Sequence, residues 1–77
     1  MESSGTGLGP VKGMIKHRES EQYYNGQGQW SSESRDAMVF NGIAEAMQEA
    51  KRVGLKGPCE YVVEIGGQIG FRVLLSL

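Results

Sequence analysis

"EYVVEIGGQIGFRVLLSL" (residues 60–77) decides the fold. Two runs rich in β-branched, aromatic and other apolar residues, Glu60–Ile65 and Phe71–Leu77, flank a cluster of glycines that accept positive φ, and this is the signature of a β-hairpin. Side-chain parity sets its register. Tyr61, Val63 and Ile65 share one face, as do Ile69, Phe71, Val73 and Leu75, and residues opposite one another in a hairpin must share a face. A three-residue loop, Gly66-Gly67-Gln68, therefore places Ile65 opposite Ile69, Val63 opposite Phe71 and Tyr61 opposite Val73. That is the expected register, with a five-residue loop in reserve. A two-residue Gly66-Gly67 turn puts Val63 opposite Gly70 and Tyr61 opposite Arg72. Leu74 faces away from Phe71, Val73 and Leu75 yet is as apolar as they are.

Upstream lies "FNGIAEAMQEAKRVG" (residues 40–54), in which the period changes from two to that of a helix. Ile43, Ala46, Met47, Ala50 and Val53 recur at helical spacing, while Glu45, Gln48, Glu49, Lys51 and Arg52 fall on the opposite side. Asn41 is the expected N-cap and Gly54 the expected left-handed C-terminal residue. The apolar stripe of Ile43, Met47, Ala50 and Val53 is expected to pack on Val63, Ile65 and Phe71.

"VKGMIKHR" (residues 11–18) alternates again. Val11, Gly13, Ile15 and His17 point one way; Lys12, Met14, Lys16 and Arg18 point the other, giving a strand with one basic face. Glu19–Glu21 is the hairpin loop and Gln22–Tyr24 the returning strand, ended by Asn25-Gly26. Tyr23 and Tyr24 are adjacent, so at most one joins a core beside Ile15 and the other faces out. Trp30 is expected to fold back over the sheet edge or the helix end. Met1–Pro10, with three glycines, is too poor in apolar residues to order by burial and reads as a flexible tail. Residues 11–77 then form one α+β domain: a mostly antiparallel sheet of four or five strands with one amphipathic helix packed on one face.

A chain of 77 residues has room for one small core and little for a deep enzyme cleft. Its net charge of −1 provides no overall field to attract a polyphosphate. A single cysteine, Cys59, allows no internal disulfide and fits a reducing, cytoplasmic setting. No apolar window approaches membrane-spanning length, and no secretory signal is evident. Gly66-Gly67-Gln68 spells the tripeptide of peptide-chain release factors, but in a chain with 12 glycines it reads as a tight turn. The single histidine, His17, and scattered carboxylates give no metal-ligand or nucleophile spacing. No cofactor, metal or catalytic residue is expected.

Taken in order, "YYNGQGQWSSESRDAMVFNGIAEAMQEAKRVG" (residues 23–54) resembles a pattern of short phage and mobile-element proteins: aromatic hairpin, glycine-rich turn, Trp, then a capped Ala-rich helix. The layout is similar to small anti-CRISPR proteins, and that resemblance implies a non-catalytic inhibitor of a host effector complex. It is also similar to the strand-and-helix geometry of integrase arm-binding domains, which read DNA with the sheet and are usually basic. The expected function is protein binding, with Lys16, Arg18, Tyr23, Tyr24, Trp30 and Leu74 as candidate contacts, since Tyr, Trp and Arg dominate binding hot spots. A nucleic-acid module using Lys12, Lys16 and Arg18 is the alternative. It gains weight if those residues cluster with Arg72 and an exposed Tyr. An apolar second sheet face that one helix cannot cover points to a homodimer.

Overall fold

A computed structural model describes residues 11–75. The expected N-terminal tail, residues 1–10, and the last two residues lie outside this range. Five strands and one α-helix follow in the order β1 (Val11–His17), β2 (Tyr23–Tyr24), β3 (Trp30–Ser31), a 3₁₀ turn (Ser34–Asp36), α1 (Ile43–Val53), β4 (Cys59–Ile65) and β5 (Gln68–Leu74). They form one antiparallel sheet in the spatial order β3-β2-β1-β4-β5. This is the α+β architecture that the alternating periods imply.

The glycine-rich hairpin obeys both competing registers, each over part of its length. Gly66 (φ 61°) and Gly67 (φ 88°) form a two-residue turn that pairs Ile65 with Gln68, not Ile69. Positive φ at both central positions is what a type I′ turn requires, and its twist matches that of the strands. A bulge then follows between Val63 and Glu64, leaving Gly70 unpaired and restoring Val63 opposite Phe71 and Tyr61 opposite Val73. The three-residue loop is thus corrected to a tight turn plus a bulge, because the turn minimises locally while face parity is enforced farther along.

β1 is central and pairs residue for residue with β4, from Val11 opposite Ile65 to His17 opposite Cys59. Its other edge meets β2 only near Lys16, opposite Tyr23. Farther along that edge Phe40 forms an isolated bridge to Gly13, its N–H donating to the Gly13 carbonyl at 2.8 Å. The segment before the helix therefore finishes the edge that a two-residue β2 cannot cover.

"QYYNGQGQW" is a hairpin in its own right. Tyr24 pairs with Trp30, Asn25 donates to the Gln29 carbonyl at 3.0 Å, and Gly26 and Gly28 supply positive φ. Trp30 thus forms the edge strand β3 instead of folding over one.

The helix ends as expected on the left-handed Gly54. Leu55 N–H reaches the Ala50 carbonyl and Gly54 N–H the Lys51 carbonyl, the Schellman pattern. Its start departs from expectation. Gly42, not Asn41, is the N-cap, and Glu45 reaches back to accept the Asn41 backbone N–H at 3.1 Å. Ala46 and Ala50 are the residues it buries fully, against Ile15, Tyr24, Phe40, Cys59, Tyr61 and Leu75. Met47 and Val53 flank this core half-buried, whereas Ile43 is 43% exposed and Phe71 52%. The small alanines let the helix lie closest over β1 and the hairpin aromatics, so it leaves β5 uncovered.

Candidate functional site

The sheet face away from the helix brings charged and apolar side chains together in cross-strand rows. Period-two alternation places Lys12, Met14 and Lys16 there from β1, Glu60, Val62 and Glu64 from β4, and Arg72 and Leu74 from β5. One row crosses the sheet as Tyr23, Lys16, Glu60, Leu74, each the direct partner of the next. The row beside it is Met14, Val62, Arg72. Met14 and Val62 are fully buried and pack with Tyr23 and Ala37 in a second, smaller core.

Glu60 is the centre of this face and only 8% exposed. A buried carboxylate needs partners, and Glu60 has two: Arg18 Nε at 3.5 Å and Arg72 Nη1 at 3.7 Å, both half-exposed. At these distances, and with solvated guanidiniums, such pairs contribute roughly 0–1 kcal/mol each. Their effect is to orient two half-exposed arginines on either side of Glu60. Lys16 Nζ lies 5.5 Å from the centroid of the Tyr23 ring, a cation–π contact that holds the ammonium over the sheet. Burial, with Glu64 nearby, raises the Tyr23 phenol above its ordinary value and keeps it neutral.

The six candidate contacts divide between two faces. Lys16, Arg18, Tyr23 and Leu74 come together on the charged face, although Tyr23 is packed down to 9% exposure rather than projecting. Tyr24 and Trp30 do not join them. Tyr24 is fully buried in the main core beside Ile15, and Trp30, half-buried, packs edge-on against both Tyr24 and His17. Arg72, named with the nucleic-acid alternative, joins this site, and so does Glu60, which is absent from the candidate contacts: alternation sets it on the face opposite Tyr61, and the β1–β4 register brings it beside Lys16.

A second feature lies on the helix side. The Tyr24 hydroxyl donates to Glu49 Oε2 at 2.7 Å and accepts from the Gly28 N–H at 3.3 Å, while Arg52 holds the same carboxylate through Nε at 2.9 Å and Nη2 at 2.8 Å. The Arg52 guanidinium, then the Tyr24 hydroxyl, hold the Glu49 carboxyl below its usual range. Burial first, then the bond to Glu49, raise the Tyr24 phenol. Beside this network is a cleft of about 190 Å³ lined by Met38, Phe40, Glu45, Gln48, Glu49 and Arg52. The network is internally satisfied and ties the glycine-rich loop to the helix.

Cys59 is buried, and burial pushes its thiol up, away from the reactive thiolate. Among the described residues no three His, Cys, Asp or Glu side chains gather as metal ligands. No described helix is long and apolar enough to cross a membrane. No family model, curated protein or solved structure matches the chain.

Proposed function

We propose that this chain is a small non-catalytic binding protein whose contact surface is the charged sheet face. The observation that carries this reading is Glu60, a nearly buried carboxylate held between Arg18 and Arg72, with Lys16 and Leu74 on either side in one cross-strand row. A rigid surface mixing oriented guanidiniums, a neutralising carboxylate and an exposed leucine suits a partner protein with its own mixed polar and apolar patch. The resemblance in layout to small anti-CRISPR proteins supports a phage-type inhibitor acting in the cytoplasm on a host defence complex.

Nucleic-acid binding is the second reading, favoured because Lys16 and Arg18 do gather with Arg72. Two features weigh against it. Glu60 and Glu64 sit among the four cations of this face, and Tyr23 is packed down, whereas a single-stranded nucleic acid needs an exposed aromatic to stack on.

The test is affinity capture from host lysate with the wild type, a Lys16→Glu/Arg18→Glu variant, and a Glu49→Gln variant altered on the other side. A specific partner retained by the wild type and Glu49→Gln but lost by the double variant is the expected result. Equal retention by all three moves the contact surface elsewhere. DNA or RNA binding at physiological salt that weakens steeply as salt rises replaces the protein reading with the nucleic-acid one.

A further inference from the structure

We infer that two copies of this chain pair antiparallel along the outer edge of β5, in a two-fold register centred on Val73, to make one continuous sheet. The proposal begins with the backbone. Leu75 N–H donates to the Cys59 carbonyl at 2.8 Å. Hydrogen-bonded pairs alternate along an antiparallel ladder, so Leu75, Val73 and Phe71 turn their backbone groups toward β4. Arg72 and Leu74 turn theirs outward. Among the described residues no strand lies beyond β5, so this edge is a template for a further strand.

Edge side chains are unusually apolar for a free strand: Phe71 is 52% exposed, Val73 37% and Leu74 55%. The occupant must be one that fits the edge, and a second copy does so in a register centred on Val73. The bulge at Gly70 disrupts the edge on one side, so the regular run is Phe71–Leu75. Centring the two-fold on Arg72 sets like charges opposite one another. Centring it on Val73 avoids this. Arg72 and Leu74 of one copy then form reciprocal hydrogen-bonded pairs with Leu74 and Arg72 of the other. Val73 meets its symmetry mate as a close non-hydrogen-bonded pair, and Phe71 lies opposite Leu75 of the second copy on the helix side.

Charge supports the same register. Leu74 is the direct cross-strand neighbour of Glu60. An Arg72 laid beside the other copy's Leu74 is therefore two strands from that copy's Glu60, roughly 10 Å between backbones at the usual strand spacing. That is within the combined reach of the two side chains. The guanidinium is 53% exposed and, among the described residues, its ion pair is a loose 3.7 Å contact with its own Glu60, which leaves donors for the second carboxylate.

Sedimentation velocity and oxidative cross-linking test this on the full chain. The wild type is expected to sediment as a dimer at high micromolar concentration. Val73→Lys, which puts two ammonium groups face to face, is expected to weaken the dimer by about tenfold or more with its circular dichroism unchanged. Val73→Cys is expected to oxidise to a covalent dimer through the new thiols, since a close non-hydrogen-bonded pair brings Cβ atoms within disulfide range. A wild type that stays monomeric, a Val73→Lys variant that dimerises as well as the wild type, or a Val73→Cys variant that forms no 73–73 disulfide each overturns the proposal.

Discussion

Gly13→Ala tests the packing of the central strand. A Cβ at Gly13 would overlap the Tyr61 hydroxyl and come within 2.6 Å of Cζ and 2.9 Å of Cε1. Tyr61 is paired with Ile15 yet leans diagonally across Gly13, and its ring is buried in the main core. It cannot swing away without opening that core. Two effects compete. Replacing Gly by Ala reduces the entropy of the unfolded chain and alone would stabilise by about 0.4–1 kcal/mol. Forcing a methyl into a filled site costs about 1–3 kcal/mol. Because two ring atoms and the hydroxyl all collide with the new methyl, the steric cost dominates, and a net loss of about 1–2 kcal/mol is expected. Urea unfolding followed by Trp30 fluorescence reads this as a lower midpoint at unchanged slope. The decisive control is Tyr61→Leu, which removes the colliding atoms. In that background Gly13→Ala should become neutral or stabilising, a coupling of about 1–3 kcal/mol. A Gly13→Ala variant as stable as wild type, or one equally costly in both backgrounds, refutes the argument.

The helix side and the turn yield further expectations. Tyr24→Phe leaves Glu49 short of a donor and should cost about 1–2 kcal/mol by thermal or urea unfolding. Because the folded Glu49 carboxyl is held below its unfolded value of 4.5, its contribution is present above that pH and is lost as pH falls through the depressed value. Glu49→Gln should therefore be less stable than wild type near neutrality and lose less on acidification, which stability measured across pH will show. Ala50→Leu overpacks the closest helix–sheet contact and should cost about 1–3 kcal/mol, whereas Met47→Ala, half-buried, should fall below the roughly 2–5 kcal/mol of a fully buried methionine; the same unfolding assay compares them. At the hairpin, Gly66→Asn should be neutral within about 0.5 kcal/mol because Asn-Gly suits a type I′ turn, and Gly67→Ala should cost about 1 kcal/mol for its positive φ.

Local pattern alone determined the element types. Period-two alternation in residues 11–18 and 60–75, helical spacing from Ile43 to Val53 and the left-handed Gly54 each depend on neighbours in the chain, so strands, helix and C-cap were legible. The opposition of Tyr23 and Tyr24 was legible for the same reason. Tertiary structure decided which partner each face met. Ala46 and Ala50 reach the core ahead of Ile43 because close approach over Ile15 and Tyr61 rewards small residues, and no helical periodicity encodes that distance. Trp30 became an edge strand because the turn closed by the Asn25–Gln29 hydrogen bond brings it opposite Tyr24, a pairing that the glycine- and amide-rich stretch between them does not announce by alternation. The C-terminal loop length was settled by two demands at different ranges, a turn preference between adjacent glycines and a face parity enforced by the core, reconciled only by the bulge at Gly70. Glu60 shows the same division: alternation places it on the face opposite Tyr61, but only the assembled sheet sets it beside Lys16 and buries it between Arg18 and Arg72, residues far apart in the chain that β1 and β5 bring to its two sides.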